Sequence, residues 1–327
     1  MINYFRKLLK PEIFQGSGKK NTYFEGWYYK HVANGGATAF SFIPGISIDK
    51  EGNSNAFVQY INGKTGQSNF FSFPGSAFDH SKNEFEIEIG LNRFSRDKLY
   101  IEIDENPGIS AEILYKNHTL TKRSLLSPGI MGWYSYMPFM ECYHGLVSLD
   151  NDIEGFIQFG DKITDLTGGK GYIEKDWGVS FPKSWLWLQC NTFDNEKTSF
   201  FFSIAHIPWL GKYFIGYISV LLFEGKVHKF ATYNNAKLDH IKLDENSAEI
   251  RLRNNDIELN VHAFRKNGSV LQAPTLGKMD RRISESIDAD ISLEIKTKNG
   301  TKILNGINTG MELVGDISEL TNKQKIK

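Results

Sequence analysis

Apolar and polar residues alternate with a period of two over long parts of the chain. In EFEIEIGL (Glu84–Leu91) and LYIEIDE (Leu99–Glu105) acidic and apolar side chains take turns. AEIRLRNNDIELNVHAF (Ala248–Phe264) holds two such runs around RNND, and ADISLEIKTKNGTKILNGI (Ala289–Ile307) holds two around KNGT. Period two puts successive side chains on opposite faces of a strand, and a short polar break between two runs marks a hairpin. DKEGNS, NGKTGQ and FEGK add turn signals, and GGKG (Gly168–Gly171) also reads as a turn. FIGYISVLLF (Phe214–Phe223) is continuously apolar but too short to span a membrane, so it reads as a buried strand. The pattern predicts an all-β protein of antiparallel strands, sandwich or barrel. Helical periodicity is confined to Tyr4–Lys10, stopped by Pro11, and to KMDRRISESI (Lys278–Ile287), which could form a short turn of helix.

At 327 residues the chain exceeds one ordinary core and suits two domains. Pro182 interrupts the stretch GYIEKDWGVSFPKSWLWLQCN (Gly171–Asn191), which has alternating strands on both sides. The expected division is an N-terminal arm over 1–20, a first barrel over 21–182 and a second over 183–327. A faint internal echo agrees: EGWYYKHV (Glu25–Val32) opens the first β region with a tryptophan strand, and SWLWLQCN (Ser184–Asn191) opens the second. Two barrels of about 150 residues each fit the length.

Lys plus Arg and Asp plus Glu are 38 each, so net charge gives no reason to expect nucleic acid or an anionic surface as partner. The hydrophobic share of 40% is enough for a core. Two cysteines, Cys142 and Cys190, make no disulfide framework and no CxxC pattern, and free thiols are the expectation. The start MINYFRKLLK lacks the apolar core and cleavage site of a signal peptide. A soluble, cytoplasmic protein is expected, with YFRKLLK able to touch a membrane surface.

Nucleotide-binding glycine motifs, HExxH and GxSxG are absent from the sequence. Eight histidines are scattered with no pair at metal-ligand spacing, so no metal site is expected. What remains is three aromatic clusters with embedded ionisable groups: YFEGWYYKH with Glu25 and Lys30, MGWYSYMPFMECYHGLVS with Glu141 and His144, and the stretch from Gly171 with Glu174, Lys175 and Asp176. A carboxyl group among rings loses solvation, which raises its pKa and lets it keep a proton for delivery to a substrate. Exposed carboxylates or salt bridges at a barrel rim would account for the same residues. Strand parity puts Tyr23, Glu25, Trp27 and Tyr29 on one face. It also puts Trp185, Trp187, Gln189 and Asn191 opposite Leu186, Leu188 and Cys190, the second set being apolar. The mixed aromatic and amide face suits a ligand cavity.

At YFEGWYYK, MECYHGLVS and GYIEKDWGVSFPKSWLWLQCN the sequence resembles the tocopherol cyclase family. The resemblance implies two consecutive lipocalin-like (calycin) β-barrels and a cofactor-free cyclisation or hydration of a prenylated quinol or other isoprenoid. A proton adds to an alkene, and a phenol oxygen captures the cation. It makes Glu25, Glu174 and Asp176 candidate proton donors. Tyr143, His144 and Tyr172 are candidates to hold the phenol or move its proton. Trp27, Tyr29, Trp177, Trp185 and Trp187 would line the cavity, and Gln189 and Asn191 would bind a hydroxyl. The implied partner is a hydrophobic small molecule. A lipocalin-like carrier without chemistry, and a structural β-protein whose aromatics are all core, are the competing readings.

Overall fold

A computed structural model of the chain describes residues 2–105, 107–194 and 197–322. The first sheet has twelve strands: β1 (Tyr23–Val32), β2 (Ala39–Ile48), β3 (Ser54–Asn62), β4 (Gln67–Pro74), β5 (Phe78–His80), β6 (Glu86–Ile89), β7 (Asn92–Ser95), β8 (Lys98–Ile103), β9 (Ile109–Thr119), β10 (Cys142–Phe159), β11 (Lys162–Asp165) and β12 (Gly169–Gly178). Their order is β4-β3-β2-β1-β12-β10-β9-β8-β7-β6-β5, with β11 beside β10. The opening strand β1 pairs antiparallel with both β2 and the last strand β12. The two edges, β4 and β5, follow one another in the chain across the short 3-10 turn Gly75–Ala77. The path closes on itself at every step but that one, which is the plan of an up-and-down barrel.

The second sheet repeats that plan. It contains β13 (Trp185–Cys190), β14 (Ser199–Trp209), β15 (Lys212–Phe223), β16 (Lys226–Ala231), β17 (Lys237–Asp244), β18 (Ser247–Arg253), β19 (Glu258–Phe264), β20 (Ser269–Thr275), β21 (Lys278–Thr297) and β22 (Gly300–Val314). The order β16-β15-β14-β13-β22-β21-β19-β18-β17 again sets the first strand beside the last and leaves two chain-consecutive strands, β16 and β17, at the edges. The two tryptophan strands β1 and β13 thus hold the same place in the two sheets. Outside the strands lie α1 (Ile2–Leu9), α2 (Ile317–Leu320) and short 3-10 turns. The described helices include none long and apolar enough to cross a membrane.

Most alternating runs become the strands and hairpins they spell, but two segments differ. Lys278–Ile287 is the first half of β21, a strand, because sheet pairing decides the conformation of a segment whose local propensity is weak. In Gly168–Gly171 only Gly168 turns, at φ +78°; Gly169 already opens β12, where a Cβ would stand 2.2 Å from the Val32 carbonyl oxygen. The glycine there lets β1 and β12 approach closely.

The chain divides into two compact units. Unit 1 is Met1–Ile61, Ser68–Phe181 and Gln272–Arg282; unit 2 is Asn62–Gln67, Pro182–Leu271 and Ile283–Lys327. The principal break falls between Phe181 and Pro182. Trp27, Tyr29, Phe42, Tyr60, Phe94 and Ile113 are among the residues that fill the core of unit 1. Leu186, Leu188, Cys190, Phe200 and Phe202 are among those that fill the core of unit 2. Both cysteines are free thiols. The N-terminal arm is no loose extension. Pro11, Glu12, Ile13 and Phe14 are buried, and Glu12 is held by Arg96 at 2.8 Å and Arg123 at 2.7 Å.

Candidate functional site

Strand β12 lies between β1 and β10, and its alternation sorts the candidate residues onto two faces. Register pairs Glu25 and Tyr143 with Trp177, and Trp27 and Gly145 with Lys175. It pairs Gly26 and His144 with Asp176, and Tyr28 and Leu146 with Glu174. Directly paired residues share a face. Glu25, Trp27, Tyr29, Tyr143, Lys175 and Trp177 therefore lie on one side. Tyr172, Glu174, Asp176 and His144 lie on the other. The three acids grouped by sequence are split by the sheet.

On the inner side the Lys175 ammonium sits 4.8 Å from the ring of Trp27 and 4.8 Å from that of Trp177. It donates to the carbonyls of Pro11 (2.8 Å) and Ile13 (2.6 Å) and meets the Glu25 carboxylate. Both side chains are wholly buried. Burial pulls the Lys175 pKa down to about 8 against the opposing pull of Glu25. Glu25 also accepts from the backbone N–H groups of Gln15 (2.8 Å) and Gly16 (2.9 Å) and from the Tyr23 hydroxyl. Every one of these contacts is a donor, so Glu25 is placed as an acceptor that pins the arm. Trp27 donates to the Glu12 carbonyl at 2.9 Å, and Tyr29 donates to the Ser95 carbonyl at 2.8 Å. Tyr143 stacks on Trp177 with centroids 5.4 Å apart, and its hydroxyl donates to the Met137 carbonyl.

On the opposite side His144 is flanked by two carboxylates. Its Nδ1 is 2.9 Å from Asp176 Oδ1, and its Nε2 is 3.5 Å from Glu174 Oε2. The Tyr172 hydroxyl donates to the same Glu174 oxygen. An imidazole facing a carboxylate at each nitrogen is best satisfied with both nitrogens protonated. Burial lowers the His144 pKa, but Asp176 and Glu174 together outweigh it and raise it to about 9. Burial and the Glu174 charge push the Tyr172 phenol well above its ordinary value. Cys142 Sγ stands 3.9 Å from Asp176 Oδ1, and burial, then Asp176, raises its pKa. Tyr172 and Glu174 are buried, while His144 and Asp176 keep side-chain exposures of 14% and 25%.

His144, Glu174 and Asp176 also offer one ligand atom each within 4.8 Å of one another, so this donor set could hold a divalent cation. Spacing along the sequence misses it because the histidine and the acids come from different strands.

In unit 2 the parity expectation matches the strand. Leu186, Leu188 and Cys190 enter the core, and Trp185, Trp187 and Gln189 take the other face; Asn191 follows the end of the strand. All four of the latter residues are buried. Trp185 Nε1 donates to Glu312 at 2.6 Å, and Glu312 is the register partner of both Trp187 and Glu285. Sequence reasoning named Lys175 in its cluster without giving it a role, and passed over Glu285 and Glu312. Parity within EKDW, which sets Lys175 on Trp177's face, was a usable signal for the first. The two glutamates carry no local one.

Fold and side chains together define an all-β protein of two lipocalin-like barrels, with an acid–imidazole group on one strand face and a buried lysine–glutamate pair on the other. The chain belongs to the tocopherol cyclase-like family, whose profile matches residues 118–314. The match takes in His144, Glu174 and Asp176 and leaves Glu25 outside. A rice protein (Oryza sativa subsp. japonica) described as a probable chloroplastic tocopherol cyclase is 27% identical over 157 residues, 44% of this chain and 32% of the rice protein. The maize (Zea mays) chloroplastic tocopherol cyclase is 32% identical over 62 residues, 19% of this chain and 13% of its own length. The aligned parts thus span a third or less of these relatives. Among solved structures, CghA matches with a TM-score of 0.59 at 8% identity, over 90% of this chain and 89% of CghA. The likeness extends to the fold.

Proposed function

We propose that this protein is a cofactor-free acid catalyst that closes a ring on, or hydrates, a lipophilic alkene such as the tail of a prenylated quinol. The observation that carries the reading is His144 held between Asp176 and Glu174, with Tyr172 on Glu174. The proton supplied is the one that His144 and Asp176 share. An apolar substrate laid over them strips water from the ion pair. Desolvation penalises charge, so the pair shifts toward neutral imidazole and carboxylic acid, the better donor to carbon. The proton goes to the alkene, the phenol oxygen bonds the tertiary carbon, and the phenol proton passes to Glu174 by way of Tyr172. Glu174 then passes that proton to His144 Nε2, 3.5 Å away, which restores the His144–Asp176 pair. Membership of the tocopherol cyclase-like family supports the same class of reaction. In this reading Glu25 ties down the arm and is not the proton donor, because its oxygens face donors.

The test is incubation with a panel of prenylated hydroquinones, followed by mass spectrometry and UV absorbance for chromanol. Asp176→Asn and His144→Gln are each expected to lower turnover by about 10²–10⁴-fold, the usual share of general acid–base catalysis. No product from any quinol, together with lipid binding that neither substitution alters, would make the protein a carrier.

A further inference from the structure

Sixteen large apolar side chains are exposed among the described residues, and five of them fall on one loop, 120–141, between β9 and β10: Leu120, Leu125, Leu126, Trp133 and Phe139. Elsewhere they are scattered, as on any protein surface. The loop has a built tip. Ser124 N donates to the Ser127 carbonyl at 3.0 Å, and Ser127 N donates to the Ser124 carbonyl at 3.1 Å. That closes a two-residue turn whose corners are Leu125, 65% exposed, and Leu126, 88% exposed. Turn corners favour glycine, asparagine and aspartate, for their backbone freedom or local hydrogen bonds. Two leucines there gain nothing from the turn and bury little against the protein. The tip is also braced, because the Tyr136 hydroxyl donates to the Leu125 carbonyl. Trp133, 42% exposed, stacks on Tyr134 at 4.0 Å.

Charge selects the occupant. The loop's one acid, Glu141, stands at its end beside β10; Lys116 faces Glu154 and Arg123 faces Glu12, each at 2.7 Å, which leaves Lys122 as the cation next to the tip. Lys122 is exposed. Arg123 donates to the Leu9 carbonyl at 3.0 Å, which ties the loop to the end of α1, whose last turn bears Arg6 and Lys7. An apolar wedge, an amphipathic indole, the exposed Lys122 and the basic last turn of α1 suit an anionic lipid surface. The loop's inner side reaches the candidate site: the His144 amide lies 3.1 Å from Met131 Sδ, and the Tyr143 hydroxyl donates to the Met137 carbonyl.

We propose that loop 120–141 docks on an anionic lipid bilayer, with Leu125 and Leu126 inserted among the acyl chains and Trp133 at headgroup level. The proposal stands whether or not the protein is a catalyst, but a lipophilic substrate of the proposed kind would reach His144 along this loop.

The test is flotation of purified protein with vesicles of phosphatidylcholine alone and of phosphatidylcholine with phosphatidylglycerol. The expected result is binding to the mixed vesicles, weakened by salt. Leu125→Ser/Leu126→Ser should lower it by about tenfold or more, and Lys122→Gln more modestly. Both leucines are exposed, so the double variant should keep its circular dichroism and melting temperature. Wild-type protein that fails to float, or a double variant that floats equally well, overturns the proposal. So does a double variant that turns a dimer into a monomer by light scattering, since a second copy would then cover the tip. Turnover of a detergent-dispersed quinol by the double variant keeps this test separate from that of the reaction.

Discussion

The Lys175 ammonium and the Glu25 carboxylate form an ion pair in which neither side chain has any exposure. Three acceptors and two indole faces surround the lysine, and the Glu25 oxygens face four donor groups. Removing one partner strands the other charge in the barrel. Lys175→Met is expected to cost about 3–5 kcal/mol in urea unfolding. The double variant Glu25→Gln/Lys175→Met should cost clearly less than the two single changes summed. Simple additivity would mean that the pair does not anchor residues 11–16.

His144 sets an alkaline limit. Its pKa is about 9 in the fold against 6.5 as an ordinary histidine, so folding favours the protonated form. The stabilisation is complete below about 6.5 and is lost as pH rises through about 9. The same proton serves the proposed reaction, so kcat/KM should fall across that upper limit. His144→Gln should flatten the alkaline limb of the stability curve; an unchanged limb would remove His144 from the account.

His31 acts at the other end of the scale. Burial, opposed by a hydrogen bond with the Phe40 backbone, lowers its pKa from 6.5 to about 3. Its Nε2 is 2.7 Å from the Tyr115 hydroxyl. The unfolded chain therefore binds a proton that the folded one refuses, and stability drops as pH falls from 6.5 toward about 3. Chemical unfolding of His31→Gln across that range should show a shallower acid slope than the wild type.

Proton chemistry and metal chemistry at His144, Glu174 and Asp176 are separable. Dialysis against a chelator is expected to leave turnover unchanged. A loss restored by one added divalent cation would assign the three residues to metal binding.

The sequence by itself determined the strands and their faces. Period-two alternation sets which side chains share a surface, and it put Leu186, Leu188 and Cys190 together opposite Trp185, Trp187 and Gln189; the fold then buries the first set in a core. It likewise put Glu25 on the face of Trp27 and Tyr29. The acid-rich words that carry the family resemblance were legible as well, because they are local. Local pattern does not encode which strand lies beside which. Only the order β1-β12-β10 brought Lys175 to Glu25, far away in the chain, and His144 to Asp176. That order separated Glu25 from Glu174 and Asp176 by the thickness of a sheet, although all three look alike among their aromatic neighbours. Alternation is a property of one strand's backbone. Adjacency is set by barrel closure, where burying one face of each sheet and pairing the first strand with the last fixes neighbours that no single segment specifies.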